Sequence, residues 1–262
     1  MTGSWPLKNK KVLVPRGEKQ AKTFSELVEK YGGVPVEIPL IAFRPIKVHS
    51  ELQLLLQQLG RYDWIIFTSN VAVETFFSFL SGDSAALLPK IAVIGKKTEQ
   101  VLRDRGVNVE FTPSAYVAET FISEFSAKVH RGMNIFIPKG NLAREYIAEH
   151  LRLKGANVDE AVVYETYMPE ENRTKLAEMV LKKELDILLF TSPSTVDHFM
   201  DVIKENHLDN QLAHCLIGCI GPVTEKKLVS YGLKVHASPK VYTVEEMVKS
   251  MITYLEEKGR GV

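Results

Sequence analysis

The chain has 262 residues, enough for one large core or two modest ones, because domains commonly hold about 100 to 150 residues and larger cores split. Apolar residues make up 45% and charged residues 25%, which excludes general disorder. With 33 basic residues against 32 acidic ones, the formal charge of +1 gives no general affinity for nucleic acid or an acidic membrane.

In chain order, short apolar runs alternate with longer amphipathic stretches. Residues 11–15 read as a strand and 19–31 as a helix with Phe24, Leu27 and Val28 on its apolar side, stopped by Gly32 and Gly33. Residues 34–42 read as extended, 50–59 as a helix, 64–67 as a strand and 72–79 as a helix. A strand over 90–94, a helix over 98–103, an extended 107–111 and a helix over 118–128 complete a first set. The second set is 134–137, 142–153, 159–166, 173–183, 187–190, 196–205, 215–220, 224–230, 235–237 and 244–257.

The two sets are related. Asp63-Trp64-Ile65-Ile66-Phe67-Thr68-Ser69-Asn70 returns as Asp186-Ile187-Leu188-Leu189-Phe190-Thr191-Ser192-Pro193, an offset of 123, which also links Val14-Pro15-Arg16-Gly17 to Ile137-Pro138-Lys139-Gly140. Gly95-Lys96-Lys97-Thr98 and Gly221-Pro222-Val223-Thr224 are 126 apart, as are Pro113-Ser114-Ala115-Tyr116 and Pro239-Lys240-Val241-Tyr242. Strands of about five residues between helices of ten or more predict an α/β protein of two similar lobes, each a parallel sheet flanked by helices. Taking 38–45 and 163–169 as paired crossover strands gives a discontinuous lobe of 1–40 plus 169–262 and a continuous lobe of 45–163.

Ligand-bearing loops are expected beyond the carboxyl ends of the strands, where small and hydroxylated residues precede helices whose first N–H groups attract carboxylate or phosphate. Thr68, Ser69, Asn70, Thr98, Gly140, Asn141, Ser192, Ser194 and Thr224 are candidates on that ground, and helix capping is the alternative for each. Arg16, Lys96, Lys139 and Arg144 supply cations near strand ends, and the Ser114 hydroxyl is a further donor. Tyr164, at the second crossover, is a candidate to hydrogen-bond a leaving hydroxyl, with strand packing as the alternative.

Several chemistries find no support. There is no complete phosphate loop or Gly-x-Gly-x-x-Gly, and His49, His130, His150, His198, His214 and His236 are dispersed with no metal motif. Ser69 and Ser192 lack a nucleophile elbow. Cys215 and Cys219, four apart in an expected strand, would stand about 13 Å from one another, too far for a disulfide, and read as buried thiols. With no long apolar span and no signal peptide in the polar segment 1–11, a cytoplasmic location is expected.

The assembly of Pro15-Arg16, Phe67-Thr68-Ser69-Asn70 with Val73, Pro138-Lys139-Gly140-Asn141 with Arg144, Val163-Tyr164-Glu165-Thr166, Phe190-Thr191-Ser192-Pro193-Ser194 with Val196, and Ile220-Gly221-Pro222-Val223-Thr224 with Leu228 resembles the uroporphyrinogen-III synthase family. The resemblance implies two α/β lobes joined by a two-stranded connector and a cofactor-free active site in the cleft. It further implies closure of the linear tetrapyrrole hydroxymethylbilane to uroporphyrinogen III, with loss of water and inversion of ring D through a spiro-pyrrolenine, in haem biosynthesis. Tyr164 corresponds to the tyrosine suspected of assisting hydroxyl loss and Thr224 to the threonine beside the substrate. Arg16, Thr68, Ser69, Asn70, Ser114, Lys139, Gly140 and Asn141 are then expected to bind substrate, together with Ser192, Pro193, Ser194, Gly221 and Pro222. A monomer is expected, with contact to neighbouring pathway enzymes allowed and neither nucleic acid nor membrane as partner. The competing class is a cytosolic two-lobed binding or sensor protein for a carboxylated small molecule, which would bind without turnover.

Overall fold

The structure, a computed structural model, describes residues 5–80 and 88–259; residues 1–4 of the polar opening segment lie outside the described residues. The elements begin with β1 (Lys11–Val14), α1 (Glu18–Lys30), β2 (Val34–Glu37), β3 (Ala42–Pro45), α2 (Ser50–Gln57), β4 (Trp64–Phe67), α3 (Asn70–Phe79), β5 (Lys90–Val93), α4 (Lys96–Arg103) and α5 (Ala118–Phe125). They continue with β6 (Asn134–Gly140), α6 (Tyr146–Leu153), β7 (Asn157–Tyr167), α7 (Glu170–Leu181), β8 (Ile187–Phe190), α8 (Pro193–Glu205), β9 (Leu216–Cys219), α9 (Pro222–Ser230) and α10 (Val244–Gly259).

The chain forms two compact units, Met1–Ala42 with Tyr167–Val262 and Phe43–Thr166. It passes from one to the other within β3 and again at the end of β7, so these two strands are the connector. They are neighbours in one sheet, and Ile46 N–H donates to Val163 O at 3.0 Å.

In the first unit the sheet order is β2-β1-β8-β9 with parallel pairing throughout. Its residues alternate between two cores, as the two-residue period of a strand requires. Leu13, Leu188, Phe190 and Ile217 pack with Leu176, Val196, Phe199 and Leu228 from α7, α8 and α9. Val12, Val14, Ile187 and Leu189 face the other way, onto Phe24 and Val28 of α1 and Met247 and Met251 of α10.

The second unit repeats this plan in a sheet ordered β3-β7-β6-β4-β5. Trp64, Ile66, Ile135 and Ile137 meet Phe121, Phe125 and Leu151, whereas Ile65, Phe67 and Phe136 meet Val73, Phe76 and Leu102. The inner strands β4 and β8 are buried at every residue, which is why both read as unbroken apolar runs.

The aspartates that open the repeated motif are structural. Asp186 Oδ2 accepts the Lys11 N–H and Asp63 Oδ2 accepts the Asn134 N–H, each at 2.8 Å, so each carboxylate clamps the start of the neighbouring strand. A second repeated device covers the outer strands β5 and β9, which would otherwise present unpaired N–H groups. Ile91 N–H donates to Glu110 Oε2 at 2.7 Å, and Ile217, 126 residues later, donates to His236 Nδ1 at 3.0 Å. In return Glu110 N–H donates to Ile91 O and His236 N–H to Ile217 O. Residues 107–111 and 235–237, expected as strands, therefore contribute single bridges, Ala92 to Phe111 and Gly218 to Ala237.

Other boundaries also differ from expectation. The single extended segment 34–42 divides into β2 and β3, and α6 begins at Tyr146 instead of residue 142. β6 continues through Pro138-Lys139-Gly140 because β7 supplies partners as far as Tyr164, with a register shift between Lys139 and Gly140. Cys215 precedes β9, yet both cysteines are buried free thiols. Burial, with the Asp186 charge adding to it, pushes the Cys215 thiol up to about 12. Among the described residues no helix is long and apolar enough to cross a membrane.

His236 accepts a hydrogen bond only while its Nδ1 is unprotonated. Burial and the Lys234 and Lys258 charges draw its pKa below the ordinary 6.5. A depressed folded-state pKa contributes stability above the unfolded value, and that stability is lost as pH falls through the folded one. The melting temperature should therefore fall between pH 7 and pH 5, and His236→Gln should flatten that fall; identical slopes would show that the imidazole does not couple acid to the β9 edge.

Candidate functional site

In the second unit, the β4–α3 turn and the end of the β6–β7 pair bring three predicted residues together. Ser69 is the N-cap of α3, accepting the Ala72 N–H at 3.1 Å, and its hydroxyl also lies 3.2 Å from the Tyr164 hydroxyl. The phenol crosses Gly140 so closely that a Cβ there would stand 2.5 Å from Cζ and 2.7 Å from the phenol oxygen. Only glycine leaves room for that ring. The Phe43 ring meets Tyr164 edge-on, with centroids 5.7 Å apart. Asn141 completes the corner, donating its N–H to Tyr164 O at 3.1 Å and accepting the Thr166 N–H at 2.8 Å on Oδ1. Thr68 and Asn70, half-buried, flank Ser69.

Other expected residues of this unit are engaged elsewhere. Lys139 Nζ donates to Glu160 at 2.8 Å and lies 3.7 Å from Glu145, while Arg152 holds the other Glu160 oxygen at 3.0 Å. Its charge is thus largely compensated within the protein. Ser114 donates both its N–H and its hydroxyl to the Glu124 carboxylate, which these bonds hold below the usual carboxylate range. A hydroxyl so placed, beside an anion, is poorly suited to receive a second carboxylate. Arg144 is exposed just ahead of α6.

The first unit carries a parallel set. Arg16 Nε donates to Thr191 Oγ1 at 2.8 Å, and partial burial of the guanidinium draws its pKa below the ordinary value. Ser192 caps α8 through a capping box with Thr195, its hydroxyl 3.1 Å from that of Ser194, and Pro193 fills the first helical position. At β9, Gly221 and Pro222 open α9, and a Cβ on Gly221 would stand 2.9 Å from the Tyr242 ring. Thr224 is buried at 3% exposure in the first turn. No hydrogen bond of its hydroxyl is found among the described residues.

Each unit therefore ends its inner strands in helix heads bearing hydroxyls and unpaired N–H groups, an arrangement suited to carboxylates. Among the described residues no group of three or more His, Cys, Asp and Glu stands ready for a metal ion. Thr191, Tyr116 and Tyr242 were not selected from the sequence as site residues, although the 126-residue offset had paired the two tyrosines. A hollow of about 450 Å³ at the C-terminal end of α8, lined by Glu170, Arg173 and Glu205, is away from these heads, and its arginine is already paired with Glu205.

Gly140→Ala provides a direct check of the crowded corner. The added methyl should drive the phenol off Ser69 while costing about 1–3 kcal/mol of stability, the usual range for overpacking. Unchanged Tyr164 ring resonances in NMR spectra would contradict the contact.

Comparison with known proteins agrees with this architecture. The family described as uroporphyrinogen-III synthase HemD matches residues 22–249. A putative uroporphyrinogen-III synthase of Methanocaldococcus jannaschii is 30% identical, with 94% of this chain and 99% of that protein covered. The porphyrin biosynthesis protein HemD of Ruminiclostridium josui is 29% identical over 98% of this chain, which spans 50% of that longer protein. Among solved structures, a mutant uroporphyrinogen III synthase from Thermus thermophilus superposes with a TM-score of 0.64 at 18% identity, covering 95% of this chain and 99% of that one. The Helicobacter pylori uroporphyrinogen-III synthetase gives 0.60 at 15% identity, covering 94% and 99%. At such identities the two structures speak for the fold, and the match over residues 22–249 speaks for descent: the chain belongs to the uroporphyrinogen-III synthase HemD family.

Proposed function

We propose that this protein closes hydroxymethylbilane to uroporphyrinogen III, with loss of water and inversion of ring D. Family membership supports the reaction class, and the observation that carries the site is the Tyr164 phenol held over Gly140 and against Ser69. In this reading Tyr164 donates its proton to the terminal hydroxyl, the C–O bond breaks, and water leaves an azafulvene cation. The substituted carbon of ring D attacks that cation to form the spiro-pyrrolenine. Cleavage and reclosure invert the ring, and the proton lost on rearomatisation restores the balance.

The harder task is restraint. Hydroxyl loss without the enzyme feeds the uninverted product, so the protein has to favour one carbon of ring D as nucleophile. A preference of about 1.4 kcal/mol already gives roughly a tenfold bias, an amount that a few oriented carboxylate contacts supply. Ser69, Asn70, Ser192, Ser194 and the first N–H groups of α3 and α8 are the groups proposed to hold the acetate and propionate arms. Thr224 is proposed to lie beside the substrate, and Arg16 to strengthen the first unit's share through its Thr191-anchored guanidinium.

Purified protein supplied with freshly made linear tetrapyrrole should yield the type III isomer in excess of type I. An isomer ratio equal to that of the uncatalysed reaction would refute the proposal and leave a carboxylate-binding role. Tyr164→Phe should lower kcat by roughly 10- to 100-fold, toward the low end of general-acid effects, while retaining isomer selectivity. Full turnover in that variant would assign hydroxyl loss to another group.

A further inference from the structure

The edge strand β3 carries one residue that the packing of its own unit does not explain. Edge strands are usually guarded by charge or proline, and Arg44 and Pro45 follow that rule. Phe43 does not: its side chain is 52% exposed and joins neither of the unit's two cores. What it meets is the Tyr164 ring, edge-on, at 5.7 Å between centroids and an interplanar angle of 79°.

That contact is fixed by the backbone on either side of Tyr164. Arg44, next to Phe43, pairs with Glu165, and Ile46 N–H donates to Val163 O at 3.0 Å. The connector is thus tied to both neighbours of Tyr164, which registers the Phe43 ring on the phenol. Tyr164 also packs partly against the core that holds Phe136 and Val163, and Gly140 gives its ring room. The Ser69 hydroxyl, 3.2 Å from the phenol, is shared, because it caps α3 by accepting the Ala72 N–H. When Ser69 donates its hydrogen to the phenol oxygen, the phenolic proton is left for a ligand. One such bond does not set the plane of the ring, whose outer torsion is soft.

We propose that Phe43 is a positioning residue: its ring sets the plane of the Tyr164 phenol, so that the proton points at the leaving hydroxyl of the substrate. As a statement about turnover this rests on the reading of Tyr164 as the acid that assists hydroxyl loss. Phe43 has no proton of its own to exchange and acts through Tyr164.

Spectra of protein carrying isotope-labelled tyrosine, free of substrate, read the contact, with Tyr164→Phe identifying the Tyr164 signals. Phe43→Ala should shift the Tyr164 ring resonances, whereas Leu54→Ala, which removes another exposed apolar side chain of this unit, should leave them in place. With hydroxymethylbilane, Phe43→Ala should lower kcat roughly 3- to 10-fold at unchanged KM, the loss of one edge-on ring pair, and Phe43→Tyr should restore it. In a Tyr164→Phe background, which keeps the ring and loses the hydroxyl, Phe43→Ala should cost nothing further. An equal fall in both backgrounds, a rise in KM with kcat preserved, or unmoved Tyr164 resonances would overturn the positioning role. Full turnover by Tyr164→Phe would refute the acid instead, and the resonances would still decide whether Phe43 holds the phenol.

Discussion

A carboxylate at the foot of each inner strand holds the register on which the turns at the strands' other ends depend. Asp186 grips the start of β1 and Asp63 the start of β6, each through a backbone N–H at 2.8 Å. Because strands rise about 3.3 Å per residue, a slip of one position would displace the Arg16, Ser69 and Gly140 corners by a whole residue and exchange the side chains that each strand presents to the two cores. The two cores on either side of each sheet then lock what the aspartates align. The aspartates that open the repeated motif therefore serve the scaffold, and the serine caps Ser69 and Ser192 stand beyond the other ends of the same strands.

The two copies have kept the scaffold and diverged at the tips. Both use a serine to cap the helix after the inner strand, and both bury a threonine in the first turn of the next helix. Beyond that they part. The first unit sets Arg16 on Thr191, whereas the equivalent Lys139 turns to Glu160 and leaves its corner to the Tyr164 phenol. One unit thus retains a cation at this corner where the other places a phenol.

The fold was legible because it rests on local pattern: unbroken apolar runs for β4 and β8, amphipathic spacing for the helices and serine caps at the turns. What escaped depended on partners distant in sequence. Pro138-Lys139-Gly140 read as a loop, since proline and glycine punctuate loops, but β7 extends far enough to keep the segment in the sheet. The positive charge of Lys139 suggested a ligand contact, and only the fold reveals Glu160 beside it. The edge covers supplied by Glu110 and His236 carry no recognisable motif, because one uses a carboxylate and the other an imidazole for the same acceptor task.

The crossing of the Tyr164 ring over Gly140 has a consequence for how this sequence is free to drift. While the phenol stays, the opposite position is closed to every other amino acid, since even a methyl group would fall within 2.5 Å of the ring. A descendant that gave up the aromatic side chain would release the glycine at the same moment. The two sites should therefore change as a pair across lineages, and substitution at either alone marks a branch where selection on this corner has relaxed.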